Sequence, residues 1–158
     1  MFIYYIYKIE QNILMIMTQE DKELLLKDLC ARLPYGVKIE FTWWVMDEGT
    51  CLSTTLEPDH IEQILNDEVG NAEIKPYLFP LSSMTEEECH KFYCGFVENE
   101  TDYNEFKKYY FDSCSWNKVL TTISDCGDII DWFNKYHFDY RGLIEKGLAI
   151  DATGLNIY

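Results

Sequence analysis

The chain has 158 residues, 47% of them hydrophobic and 16% aromatic, which excludes global disorder and allows one domain to bury its own core. Twenty-eight acids against thirteen bases give a formal charge of −15, the wrong sign for direct binding to a nucleic-acid backbone or an anionic membrane surface. The deficit is concentrated in the middle, where Glu57 to Glu105 hold thirteen acids but only two bases, Lys75 and Lys91.

In chain order, "MFIYYIYKIEQNILMI" is apolar but broken by Lys8, Glu10, Gln11 and Asn12, so it falls short of the run of about 20 residues that a membrane span needs. It also lacks the basic start and small-residue cleavage site of a signal peptide. A capped helix begins directly after Met17. Residues 1–16 therefore read as an upstream start extension and residues 17–158 as a single α+β domain; the competing reading makes Phe2 to Ile9 an edge strand.

Thr18 and Asp21 form the spacing of a capping box, and Leu25, Leu29 and Leu33, flanked by Leu26 and Cys30, recur at helical spacing until Pro34-Tyr35-Gly36. "VKIEFTWWVM" alternates with period two, "DEG" at 47–49 reads as a turn, and "TCLSTTL" returns with Leu52, Thr54 and Leu56 on one face. "EPDHIEQILND" fits a helix led by Pro58 or a strand through Ile61 and Leu65. "EIKPYLFPL" carries two prolines, which predicts an extended edge or turn closing a small, bent antiparallel sheet.

Ser83 and Glu86 suggest the next capping box, before "EEECHKFYCGF". Residues 97–105 read as loop, and "FKKYYFDSCSWNKVLTTI" as one or two strands. Ser124 is placed as the cap of a helix whose buried face is Ile129, Phe133 and Tyr136.

"HFDYRGLIEKGLAID" then brings His137, Asp139, Tyr140 and Arg141 within five positions. With Asp139 as a helix N-cap, Phe138 and Leu143 fall in the positions of a hydrophobic staple and Gly147 in that of a C-terminal glycine. Arg141 is expected to pair with Asp139 or with an acid of the central third. The stretch thus reads as a structural corner between two helices. The competing reading makes His137 a base oriented by Asp139, with Tyr140 or Arg141 as a donor; it requires a cavity and convergent geometry that adjacency cannot supply. The expected fold is α+β: a small bent antiparallel sheet, open to barrel-like closure, with a leading helix and a C-terminal helix–loop–helix corner.

The six cysteines (30, 51, 89, 94, 114 and 126) contain no CxxC pair and read as reduced and mostly buried, in a cytoplasmic setting. His90 and Cys94 share a helical face with Cys89 adjacent, but the further zinc ligands would have to come from Cys114, Cys126 or His137 at no recognised spacing. A Cys–His nucleophile is disfavoured by its acidic surroundings. Asp125, Asp128 and Asp131 form an acidic row where a helix start welcomes acids anyway, so a magnesium site is not inferred. GxxxxGK[ST], GxGxxG and GxSxG are all missing, and no cofactor is expected.

Three stretches, "LLLKDLCARLPYGVKIE", "EIKPYLFPLSSMTEEE" and "DWFNKYHFDYRGLIEKGLAID", together resemble a family of uncharacterised small proteins recurrent in gut-anaerobe genomes and their prophages. The resemblance runs from Thr18 to Asp151 and departs from the family pattern at Phe79, where Arg is common, and in the last residues. It implies a phage or mobile-element setting in a bacterial cytoplasm and brings no activity.

The leading expectation is a non-enzymatic accessory protein acting through protein–protein contacts. Its partner-binding surface would use Glu57, Asp59, Glu62, Asp67, Glu68, Glu86, Glu87, Glu98, Glu100, Asp102 and Trp44. An alternative of another class is an acidic nucleic-acid mimic occupying the basic groove of a host defence or DNA-handling protein. A metal-dependent hydrolase is the third. The partner is a protein, basic in the mimicry reading, with no direct nucleic-acid or membrane contact.

Overall fold

The leading helix, α1 (Gln19–Arg32), starts where Thr18 turns from extended backbone and its hydroxyl oxygen accepts the Asp21 amide at 3.1 Å. It is one element of a computed structural model that describes residues 17–45, 48–66, 72–96, 103–106, 108 and 127–158. Residues 1–16, the Ser124 cap and the strands expected within 109–123 lie outside the described residues. A 3₁₀ turn, Leu33–Tyr35, ends α1, and Gly36 adopts the positive φ of 65° that turns the chain into the sheet.

Strand β1 (Lys38–Val45) pairs antiparallel with β2 (Glu48–Thr55) from Lys38↔Thr55 to Val45↔Glu48. That register puts Glu48 and Gly49 in the strand rather than in the turn expected at 47–49. Val37, Ile39 and Phe41 are buried, as their alternation requires. Leu56, just past β2, is buried, whereas Leu52 on this edge strand is 48% exposed.

The ambiguous segment is a helix, α2 (Pro58–Asn66), with proline at its first position. His60 reaches back so that its Nδ1 accepts the Glu57 amide at 3.0 Å, the geometry of a capping box with imidazole in place of a carboxylate.

Strand β3 (Ala72–Pro80) corrects the expectation of an edge or turn. It is interior to the sheet order β2-β1-β3-β4 and also pairs with β5. The prolines are tolerated because β3 changes partners along its length. Ala72 to Pro76 pair antiparallel with β1, Tyr77 and Leu78 pair parallel with β5 (Ile150–Asp151), and Phe79 and Pro80 pair parallel with β4 (Phe138–Asp139). Pro76 closes the β1 register and Pro80 closes the strand, so each sits where a ladder hydrogen bond is not continued. The molecule is α+β, with a leading helix and a five-stranded mixed sheet that is not closed.

Helix α3 (Glu86–Phe96) is capped by Thr85 and Glu88, not by Ser83 and Glu86. The Thr85 amide donates to Glu88 Oε2 at 2.7 Å, and the Glu88 amide donates to Thr85 Oγ1 at 3.3 Å. Ser83 is used in the 3₁₀ turn Leu81–Ser83, where its hydroxyl donates to the Pro80 carbonyl. Tyr103–Phe106, expected to begin as loop and end as strand, forms one helical turn, α4. Helix α5 (Gly127–Lys135) buries Ile129 and Phe133, while Tyr136 lies half-buried beyond its end.

Two apolar clusters result. The first joins α1, β1, α2 and β3 through Leu25, Leu29, Ile39, Ile64 and Leu78, and it includes Leu143 and Leu148. The second is aromatic, built from Phe92 of α3, Phe133 of α5 and Phe138 of β4, with Trp132, Tyr136 and Tyr140 packed around them. Trp132 stacks on Phe138 at an interplanar angle of 2°. The link from Phe138 to Leu143 crosses from one cluster to the other.

Candidate functional site

That crossing is where the polar residues of the C-terminal stretch are found. His137 follows α5 with a φ of 59°, the left-handed conformation that Gly or Asn usually takes at a helix end. Its amide donates to the Asn134 carbonyl, and its own carbonyl accepts the Phe79 amide at 2.9 Å, which seats β4 beside β3. The imidazole stacks on Tyr158, with ring centroids 4.1 Å apart, and its buried Nδ1 has no hydrogen-bond partner among the described residues. The Tyr158 hydroxyl in turn donates to the Tyr77 carbonyl and accepts the Lys38 amide.

Asp139 is buried and faces main chain. Its two carboxylate oxygens accept the amides of Leu143 at 2.9 Å and Ile144 at 2.8 Å. The expected second helix is reduced to one turn. Leu148 N–H donates to the Leu143 carbonyl and Gly147 N–H to the Ile144 carbonyl, with Gly147 at φ 71°. This is the Schellman pattern closing a turn too short to propagate. Gly142, at φ 72°, bends the chain just before it. Phe138 and Leu143 are both buried but in different clusters, so the staple contact expected between them is replaced by the two carboxylate bonds.

Among the described residues Arg141 pairs neither with Asp139 nor with an acid of the middle. Its Nε lies 3.2 Å from Oδ1 of Asp28 and donates to the Tyr140 hydroxyl at 3.1 Å. Asp28 is fully buried on α1 and also takes Arg32, with Nε to Oδ2 at 2.7 Å and Nη2 to Oδ1 at 3.2 Å. Arg32, equally buried, spends its remaining donors on the carbonyls of Phe133 and Phe138 at 3.4 and 2.8 Å. Tyr140 completes the network by donating to Asn134 Oδ1, and both guanidinium groups lie over its ring, 5.5 and 4.8 Å from the centroid. A helix of the first cluster is thereby tied to the chain that closes the second. Sequence reasoning missed this network, although its signal is present: Leu25, Asp28, Leu29 and Arg32 fall at i, i+3, i+4 and i+7 on one helical face.

Burial, and secondarily the Arg32 guanidinium, hold the His137 imidazole down to about 4. In the unfolded chain it takes a proton near its ordinary value of about 6.5. Between those values the unfolded state binds more protons, so stability falls as pH drops from about 6.5 to about 4. After allowance for solvent screening of a partly exposed ring, His137 is expected to account for about 1–2 kcal/mol of that loss. Urea unfolding across the window checks it against His137→Asn, which tolerates the backbone conformation and should flatten the slope. An imidazole that titrates in the native protein near its ordinary value would contradict it.

The described acids of the expected partner surface face outward. Glu57, Asp59, Glu62, Glu86 and Glu87 are all exposed, the first three on or before α2 and the last two in the first turn of α3. The two bases of the region are taken locally. Lys75 pairs with Glu73 at 2.8 Å and Lys91 with Glu87 at 2.9 Å, and the bond from Lys91 holds the Glu87 carboxyl below its ordinary value. Glu57, Asp59 and Glu62 make no ion pair among the described residues. Asp67, Glu68, Glu98, Glu100, Asp102 and the Trp44 side chain lie outside the described residues.

Among the described cysteines only Cys89 is buried, while Cys30, Cys51 and Cys94 are exposed. The expectation of mostly buried thiols fails because Cys30 falls on the outer side of α1 and Cys51 on the edge strand β2. Cys94 Sγ lies 3.5 Å from Nδ1 and 3.9 Å from Nε2 of His90, and no third His, Cys, Asp or Glu gathers with them among the described residues. No described helix is long and apolar enough to cross a membrane. No protein-family model, curated protein or solved structure matches the chain.

Proposed function

We propose that this chain is a non-enzymatic accessory protein that acts through protein–protein contacts, presenting the carboxylates of α2 and α3 to a basic partner. The observation that carries the reading is a division of labour among polar groups. Asp139, Arg32 and Asp28 are buried and turned to main chain or to one another, whereas Glu57, Asp59 and Glu62 are exposed without cations among the described residues. The polar cluster near the C-terminal end is spent on joining two cores. The carboxylates on α2 and before it are left for an external cation. The phage or mobile-element setting in a bacterial cytoplasm is taken from the resemblance of the three stretches.

A partner held by such a surface associates quickly at low salt and loses affinity as salt rises, because exposed charges are screened beyond a Debye length of about 8 Å at physiological ionic strength. The test is an affinity capture from host cytosol with the wild type and with a Glu57→Gln, Asp59→Asn, Glu62→Gln variant, at low and high salt. The expected result is a partner with a basic surface, retained by the wild type at low salt and lost by the variant. Equal retention by both proteins at both salt concentrations would end the reading. Nucleic-acid mimicry predicts in addition that the captured partner is a DNA-handling protein and that duplex DNA competes for it.

A further inference from the structure

The charges at the corner do not balance. Arg32 and Arg141 share one carboxylate, Asp28, and Arg32 holds it through two bonds while turning its other donors to two carbonyl dipoles. Among the described residues Arg141 has one 3.2 Å contact to Oδ1 of Asp28 and one bond to the Tyr140 hydroxyl, both through Nε. Its side chain is nevertheless only 15% exposed. A guanidinium removed that far from water with a shared anion is undercompensated. Its Nη groups bond to no described residue, yet neither is a buried orphan, so both reach solvent.

We infer that the outward edge of Arg141 is a binding point for a single oxyanion, a carboxylate or a phosphate. Three features preorganise it. The Nε edge is fixed by a carboxylate that is itself fully buried, the plane is laid over the Tyr140 ring at 4.8 Å, and Gly142 at φ 72° sets the backbone beside it. What remains is the end-on pair of Nη groups, whose parallel N–H bonds match two oxygens of one anion. A singly presented anion fits because the −15 charge of the chain opposes a polyanion, while screening confines that opposition at physiological salt. The site is independent of the acidic helices and of the partner proposed for them.

The experiment follows the Arg141 Nε resonance of ¹⁵N-labelled protein during titration with sodium phosphate and, separately, sodium acetate, with ionic strength held by sodium chloride. A saturable displacement of that resonance is expected, by phosphate alone for a phosphoryl ligand and by both for a carboxylate-type site. Thermal unfolding of Arg141→Lys gives a second readout, since lysine keeps the charge and loses the fork. The rise in Tm that phosphate gives the wild type should then require at least about tenfold more phosphate. Displacements no larger than those given by chloride, or an unchanged phosphate response in Arg141→Lys, would overturn the inference. If the lysine variant does not fold, the wild-type titration decides alone.

Discussion

Replacing Asp28 by Asn is expected to cost about 3–5 kcal/mol of folding stability, the penalty for stripping one partner from a buried ion pair. Asn keeps the shape of the side chain but removes the charge, and its amide would turn a donor toward guanidinium groups that are all donors. Arg32 and Arg141 would then face each other across a fully buried position without an anion. Denaturant unfolding should show a lower midpoint with an unchanged slope. An Asp28→Asn variant within about 0.5 kcal/mol of the wild type would mean that Asp28 is not what compensates the two arginines.

The comparison with Arg32→Met separates charge from placement. In that variant Asp28 keeps Arg141, so no charge is orphaned, but the carbonyls of Phe133 and Phe138 lose the Arg32 bonds. The double variant Asp28→Leu, Arg32→Met should be less damaging than Asp28→Asn alone, because it leaves one arginine, Arg141, rather than two without the buried anion. The network's contribution is therefore positional. It holds α1 against α5 and β4, which it meets across sequence separations of 101 and 106 residues.

This separation also explains which parts of the molecule could be read in advance. Local signals carried well: Thr18 before a leucine stripe gave α1, and the alternation from Val37 to Phe41 gave the buried face of β1. Asp139 and Gly147 were legible as the two ends of a tight unit, since a capping acid and a terminating glycine act within a few residues. The short strand β4 was not legible, and β5 only as the "LAI" that leaves Gly147 as an apolar strand or tail, because two residues carry no periodicity and exist only through β3. The place of β3 inside the sheet was hidden for a related reason. Pro76 argues against a central strand unless the partner changes at that residue, and a change of partner is a property of the whole fold. Asp28 and Arg32 were overlooked because an i, i+4 acid–base pair on a helix is usually a solvated one. Their phase with Leu25 and Leu29 was the clue that they point inward.

Replacing Asp139 by Ala is expected to destabilise the protein by about 2–3 kcal/mol, since two main-chain donors lose a charged acceptor and the Leu143 amide is left in a buried position. Asn at this position keeps one acceptor oxygen and turns an amide donor toward the other N–H, so it should recover at most one bond. Hydrogen exchange gives the site-resolved check: the amides of Leu143 and Ile144 should lose protection in Asp139→Ala, while the β1–β2 ladder keeps its own until global unfolding. The same variant separates the joint from a catalytic reading of this stretch. A carboxylate that oriented the imidazole as a base would, on removal, shift the titration of His137 and leave those two amides protected. Here the carboxylate is engaged by main chain and the imidazole by the Tyr158 ring. Loss of amide protection with an unmoved His137 titration is therefore the expected pair of results, and the reverse pair would make the corner a reactive site.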